Sequence, residues 1–133
     1  MERIFTDLVR FQIVAWNTVD ARLRAAHDLT LGAFEVLRVI ETTENCRVND
    51  IAQQMVITVG GASKIVDRLE TAGLVERSAN PGDRRSSIVG LAASGTSALS
   101  TARDTYEAAL RELFEPAGDL TAFAHTLSTL RGN

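Results

Sequence analysis

Hydrophobic positions at the start of the chain recur at steps of three and four. Ile4, Leu8, Phe11, Ala15, Val19 and Leu23 form one stripe, widened by Phe5, Val14 and Trp16. This spacing predicts an amphipathic helix from residue 2 to about 25. Thr30 is placed to cap a second helix, with Phe34, Leu37, Val39 and Ile40 on its buried side and the polar residues 41–45 ending it. Cys46-Arg47-Val48 fits a short strand. Asn49 is a candidate cap for a third helix carrying Ile51, Ala52 and Met55. Val56-Ile57 then links it to Thr58, a hydroxyl cap for a fourth helix, and two short helices so joined make a helix-turn-helix.

The pattern changes beyond Thr58. Ala62, Ile65, Val66 and Leu69 keep helical spacing, and Gly73 stands where a helix ends in the left-handed conformation. Two short extended runs, 74–77 and 87–91, flank Asn80-Pro81-Gly82-Asp83, which fits a type II turn. A helix beside a hairpin with basic residues at its tip is the winged-helix arrangement. Farther on, Ser94 is a candidate cap for a long helix to about Phe114, with Leu99, Ala102, Tyr106, Ala109, Leu110, Leu113 and Phe114 in its stripe. Pro116-Ala117-Gly118 breaks it, and Asp119 can cap a last helix carrying Leu120, Phe123, Leu127 and Leu130.

The run VDRLETAGLVERS followed by NPGDRRSSIVGLAASG resembles the MarR family of bacterial transcriptional regulators, which carry a leucine-glutamate-x-x-glycine-leucine-valine run and then an aspartate-arginine-arginine wing. Val56 stands where the family usually has a glycine, and Ala92 where a threonine is common. The resemblance implies a mainly α fold with a small β-hairpin wing. A winged helix-turn-helix lobe would span 30–92, flanked by dimerisation helices at 1–27 and 94–133. In the family these end helices interlock into a two-fold dimer. Leu8, Phe11, Leu110, Leu113, Phe123 and Leu127 are the candidates for that contact, and exposed apolar stripes of this kind mark interfaces.

The helix from 58 to 72 spans about 22 Å, a size that enters a major groove. Its outward face carries Gly60, Lys64, Asp67, Arg68 and Thr71. Gly60, Gly61 and Ser63 lie near a first turn that favours phosphate and lets a backbone approach closely. Lys64 and Arg68 can reach phosphates or guanine edges, and Thr58 and Ser63 can donate to phosphate oxygens. Asp67 either orients Arg68 or a wing arginine, or accepts from a cytosine amino group. In an extended strand Asp83 and Arg85 project on one side, so the aspartate can hold the arginine. The resemblance makes Arg85 the residue presented to the minor groove, with Asp83 its support, and Arg84 faces a phosphate. A two-fold dimer would read a pseudo-palindromic operator.

Charge sharpens this picture. The chain of 133 residues carries a net charge of −3. Residues 58–91 hold five basic side chains (Lys64, Arg68, Arg77, Arg84, Arg85) and four acidic ones (Asp67, Glu70, Glu76, Asp83), a local +1 that leaves −4 elsewhere. A molecule so divided binds DNA with one face, in a salt-sensitive way. Length and a hydrophobic content of 45% suit one soluble domain. No apolar run approaches a membrane span, and the acidic, amphipathic start is unlike a signal peptide, so the expected compartment is the cytoplasm.

Little else suggests chemistry. The single Cys46 reads as a reduced, partly buried side chain. Relatives that sense oxidants place their thiol in the first helix. His27 and His125 have no metal spacing and no nucleophile beside them, so neither an enzyme, a metal site nor a cofactor is expected. Family members often bind small aromatic or phenolic anions between the dimer helices and the DNA-binding lobe, which lowers DNA affinity. Trp16, His27 and Phe34 are the candidates here, against a plainer reading in which Trp16 and Phe34 are core and His27 closes the first helix. The function implied is a homodimeric, operator-binding regulator, a repressor released by such a ligand. The alternative is a winged-helix protein-interaction module without operator binding.

Overall fold

A computed structural model describes residues 1–83 and 85–132. Helix α1 (Glu2–His27) ends where Asp28 turns left-handed, its N–H still reaching the Arg24 carbonyl. Helix α2 (Leu31–Thr42) is capped twice. Thr30 Oγ1 accepts from Ala33 N at 3.0 Å, and the Asp20 carboxylate of α1 accepts from Leu31 N at 2.9 Å. Leu31, Phe34, Val36, Leu37 and Ile40 on α2 are buried. This helix touches α1, the helices and hairpin that follow it and the long helix beyond them, so its apolar face is the middle of the core.

Helix α3 (Val48–Met55) starts one residue before the predicted cap. Asn49 sits inside its first turn, and Asp50 Oδ2 instead accepts from Arg47 N at 2.9 Å. The strand expected over Cys46-Arg47-Val48 does not form. The chain enters α3 at Val48 and leaves room for a single link to the hairpin, Val89 N to the Cys46 carbonyl at 2.7 Å. Val56 ends α3 in the left-handed region, φ 57° and ψ 47°, with its own N–H bonded back into the helix. For a β-branched residue this conformation is costly.

Helix α4 (Val59–Thr71) begins at Thr58, whose Oγ1 accepts from Gly61 N at 3.0 Å, and it buries Ala62, Val66 and Leu69. It ends in a Schellman motif, with Gly73 at φ 77°, Gly73 N on the Glu70 carbonyl and Leu74 N on the Leu69 carbonyl. Strands β1 (Val75–Ala79) and β2 (Ser87–Leu91) pair antiparallel, Val75 opposite Leu91 and Arg77 opposite Val89. The turn between them is closed by Asp83 N to the Asn80 carbonyl at 3.2 Å. It is not type II, because Gly82 lacks the positive φ that type requires. The Asn80 side chain accepts from Gly82 N at 3.0 Å, an Asx turn that fixes the backbone instead.

Helix α5 (Ala93–Phe114) starts without a side-chain cap. Ser94, expected in that role, lies inside the first turn and donates to the Gly73 carbonyl at 2.7 Å. Its neighbour Gly95 is pressed so close to β1 that a Cβ would stand 2.0 Å from the Leu74 carbonyl oxygen. A 3-10 turn (Glu115–Ala117) and Gly118 at φ 69° break the chain as expected. Helix α6 (Thr121–Arg131) follows, with Asp119 Oδ1 accepting from both Thr121 N and its hydroxyl. Alongside α1, α5 is held by Arg22–Glu112 and by His27 Nε2 to Thr105 Oγ1.

Two substitutions test these backbone constraints. Val56→Gly removes left-handed strain worth about 1–2 kcal/mol and loosens the unfolded chain by less. Stability to denaturant should therefore rise by roughly 0.5–1 kcal/mol. Gly95→Ala should lower stability by about 2–3 kcal/mol, because a backbone carbonyl blocks the new methyl.

Candidate nucleic-acid interface

Side chains that point away from the core on α4 make one continuous exposed face. Gly60, Lys64, Asp67, Arg68 and Thr71 are all exposed there, and Ser63 is half-buried at its edge. The two glycines differ. A Cβ on Gly61 would stand 3.1 Å from the capping Thr58 hydroxyl, so the cap itself explains it. A Cβ on Gly60 would meet nothing within 4 Å. Nothing inside the chain calls for glycine at 60, where it costs the helix about 1 kcal/mol relative to alanine.

The charges on this face are arranged unequally. Arg77, on β1, reaches across to α4 and donates through Nη2 to Asp67 Oδ1 and through Nη1 to Glu70 Oε1, both at 2.8 Å. Partial burial works against its charge, but the two carboxylates outweigh it and hold the guanidinium pKa above its ordinary value. Asp67 therefore holds an arginine on the first strand of the wing and not Arg68. Strand alternation carried a signal for this partner, since Arg77 shares the Val75 face that packs on α4. Lys64 and Arg68 have no ion-pair partner among the described residues, and neither does the Arg85 side chain. Asp67 and Glu70 thus share one guanidinium, while Lys64 and Arg68 keep their charge unpaired among the described residues.

At the wing, Asp83 supports Arg85 in a different way from that expected. Its Oδ1 accepts from the Arg85 backbone N–H at 2.9 Å, which orders the loop and leaves the guanidinium alone. Asn80 Nδ2 donates to Ser86 Oγ at 3.2 Å across the same loop. Arg84 lies outside the described residues.

At the entry to α4, Val56, Ile57 and Val59 are all exposed, Val59 standing one turn before Ala62 in the first turn of the helix.

The three candidate ligand residues do not share a space. Phe34 is fully buried against Tyr106, ring centres 4.5 Å apart. His27 is bonded to Thr105 on α5 and does not close its own helix. Only Trp16 lines a cleft, an opening of about 640 Å³ between α1, α2, α3 and α5. Arg38, held by Glu35 and the Tyr106 hydroxyl, and Arg103, held by Glu41, also line it. Cys46 is buried, and desolvation, with the Asp50 carboxylate adding to it, pushes its thiol up to about 11. A thiol so placed stays protonated and unreactive.

A capped helix-turn-helix, a two-stranded wing and long flanking helices together define a winged-helix protein. Residues 29–87 match the model of the MarR family. YfiV of Bacillus subtilis, an HTH-type transcriptional regulator, is 34% identical over 64 residues, 48% of this chain but only 40% of YfiV. The solved structure of CouR from Rhodococcus jostii RHA1, bound to p-coumaroyl-CoA, is 26% identical with a TM-score of 0.84, covering 96% of this chain and 89% of CouR. A mutant MarR from E. coli complexed with operator DNA shares the fold at a TM-score of 0.87 and 20% identity, over 96% of this chain and 93% of that one.

Asp67 and Glu70 keep contact with water, so the Arg77 network is worth no more than about 1 kcal/mol. Arg77→Ala should lower the melting temperature by a few degrees in dilute buffer, and the difference should shrink in 1 M salt, where such pairs are screened. An effect that salt leaves unchanged would assign Arg77 to packing alone.

Proposed function

We propose that the chain is a DNA-binding transcriptional regulator that reads a pseudo-palindromic operator as a homodimer and acts as a repressor. The observation that carries this reading is the outer face of α4, where Lys64 and Arg68 are free, Gly60 is bare and the acidic groups are tied to Arg77. Such a face offers phosphate and base contacts through Lys64 and Arg68, with the two carboxylates drawn toward Arg77. With α4 in the major groove, the wing lies toward the adjacent minor groove, where Arg85 is drawn to a narrow, A·T-rich stretch. Residues 30–92 form the reading lobe, and 1–27 and 94–133 the dimer helices.

The dimer reading rests on apolar surface at both ends of the chain. Leu8, Phe11, Phe123 and Leu127 are exposed, Leu110 and Leu113 are half-buried, and no residue of α6 is buried. An amphipathic helix left uncovered in this way needs a partner. Among the described residues no helix is long and apolar enough to cross a membrane. Release by a small aromatic or phenolic ligand is assigned to the Trp16 cleft, on whose wall Arg38 and Arg103 are paired with Glu35 and Glu41. Phe34 and His27 have no part in it.

The test is a mobility shift on the DNA flanking the protein's own gene. Wild type should bind, with affinity falling steeply as salt rises. Arg85→Ala should weaken binding on the order of tenfold and reduce the salt slope by about one unit. Absence of binding to any flanking DNA at low salt would sink the regulator reading and leave the protein-interaction alternative.

A further inference from the structure

We propose that Val59 is a specificity-determining residue that reads the 5-methyl group of a thymine in the major groove. The inference rests on the DNA-binding reading above and narrows it to one base edge. Val59 opens α4 and is 53% exposed, whereas Ala62, Val66 and Leu69 on the same helix are buried. Three of the four residues from 56 to 59 are exposed and apolar, with Val56 at 88% and Ile57 at 38%. A β-branched side chain at a helix start gains nothing in propensity, and at this exposure it gains little from the core.

What lies outside the protein here is set by the surroundings. Gly60, next in sequence, leaves the backbone open, and the free Lys64 and Arg68 farther along α4 complement a polyanion. Residues in the first turn of a recognition helix are the ones that reach base edges. Arginine or glutamine at this position would read guanine or adenine by paired hydrogen bonds. Valine can make none. The apolar feature a base pair presents in the major groove is the thymine methyl, and a branched aliphatic side chain is a fitting partner for it. Charged neighbours thus supply affinity, and Val59 supplies a choice of base.

The experiment begins with selection of binding sites from randomised duplexes by the full-length chain. Each thymine of the selected site is then replaced, one at a time, by deoxyuridine, which removes the methyl and keeps every hydrogen-bonding group. At one thymine in each half-site, deoxyuridine should lower wild-type affinity roughly threefold to fivefold, the worth of about one buried methyl. Val59→Ala should bind the two duplexes alike with an unchanged salt slope, and Val59→Ile should restore the preference. A melting curve checks that the exposed substitutions leave the fold intact. Wild type that binds every deoxyuridine site as tightly as the thymine site, or Val59→Ala that keeps the wild-type preference, overturns the assignment and leaves DNA binding standing. Selection that enriches no duplex at low salt overturns the DNA-binding reading and this inference with it.

Discussion

The backbone joint at Gly73-Leu74 is the constraint on which the rest of the molecule depends. Leu74 N–H closes the end of α4 on the Leu69 carbonyl, and the Leu74 carbonyl accepts from Ala92 N at the end of the hairpin. Ser94 ties the Gly73 carbonyl to the first turn of α5, and Gly95 lets that turn rest on the Leu74 backbone. Helix α4, the wing and α5 therefore meet in one cluster of short hydrogen bonds. Moving any one of the three relative to the others breaks backbone hydrogen bonds, each of which leaves a polar group unsatisfied. The winged lobe and α5 are joined stiffly here and more loosely elsewhere.

The looser seam runs along α2 and α5, past the Trp16 cleft. There the polar links are side-chain pairs, Arg103 with Glu41 and Arg38 with Glu35 and Tyr106. Their carboxylates and guanidinium groups keep substantial contact with water. Pairs of that kind contribute about 0–1 kcal/mol each and are open to exchange with a competing anion. A buried apolar layer of Phe34, Leu37, Leu99 and Ala102 lies behind them and carries most of the cohesion. The cleft thus faces the part of the seam that is cheapest to rearrange, and the stiff joint lies at its far end.

Local signals were enough to place most of the fold. Thr30 and Thr58 cap as their hydroxyls suggest, the 62/65/66/69 stripe packs inward, and Gly73 turns the chain out of α4. What the sequence did not resolve was decided by bonds between distant residues or by competition among near ones. Asp67 could have served any of several arginines, and only the approach of β1 to α4 selects Arg77. Asn49 lost the cap because Asp50 reaches back to Arg47, and Ser94 lost it because the Gly73 carbonyl lies within reach. The wing turn was read from Pro81-Gly82, but the Asn80 side chain set its conformation. Trp16, His27 and Phe34 are all on or beside the α1–α2 corner in sequence, yet the helices turn them in three directions.

Four departures from local rules lie close together within residues 56–61. Besides Asp28 and Asn45, types that tolerate the left-handed region, Val56 is the described non-glycine residue at positive φ. Val59 wastes an apolar side chain on solvent, and Gly60 and Gly61 weaken the first turn of α4. Each departure costs stability on the order of 1 kcal/mol, and together they take an appreciable part of what a small domain has to spare. Of the four, packing inside the protein accounts for Gly61 alone. All lie at the entry to α4, beside the free Lys64 and Arg68. Departures scattered over the surface would mean little. Strain, bare backbone and exposed aliphatic surface brought together beside unpaired cations mark a surface shaped by something it must touch.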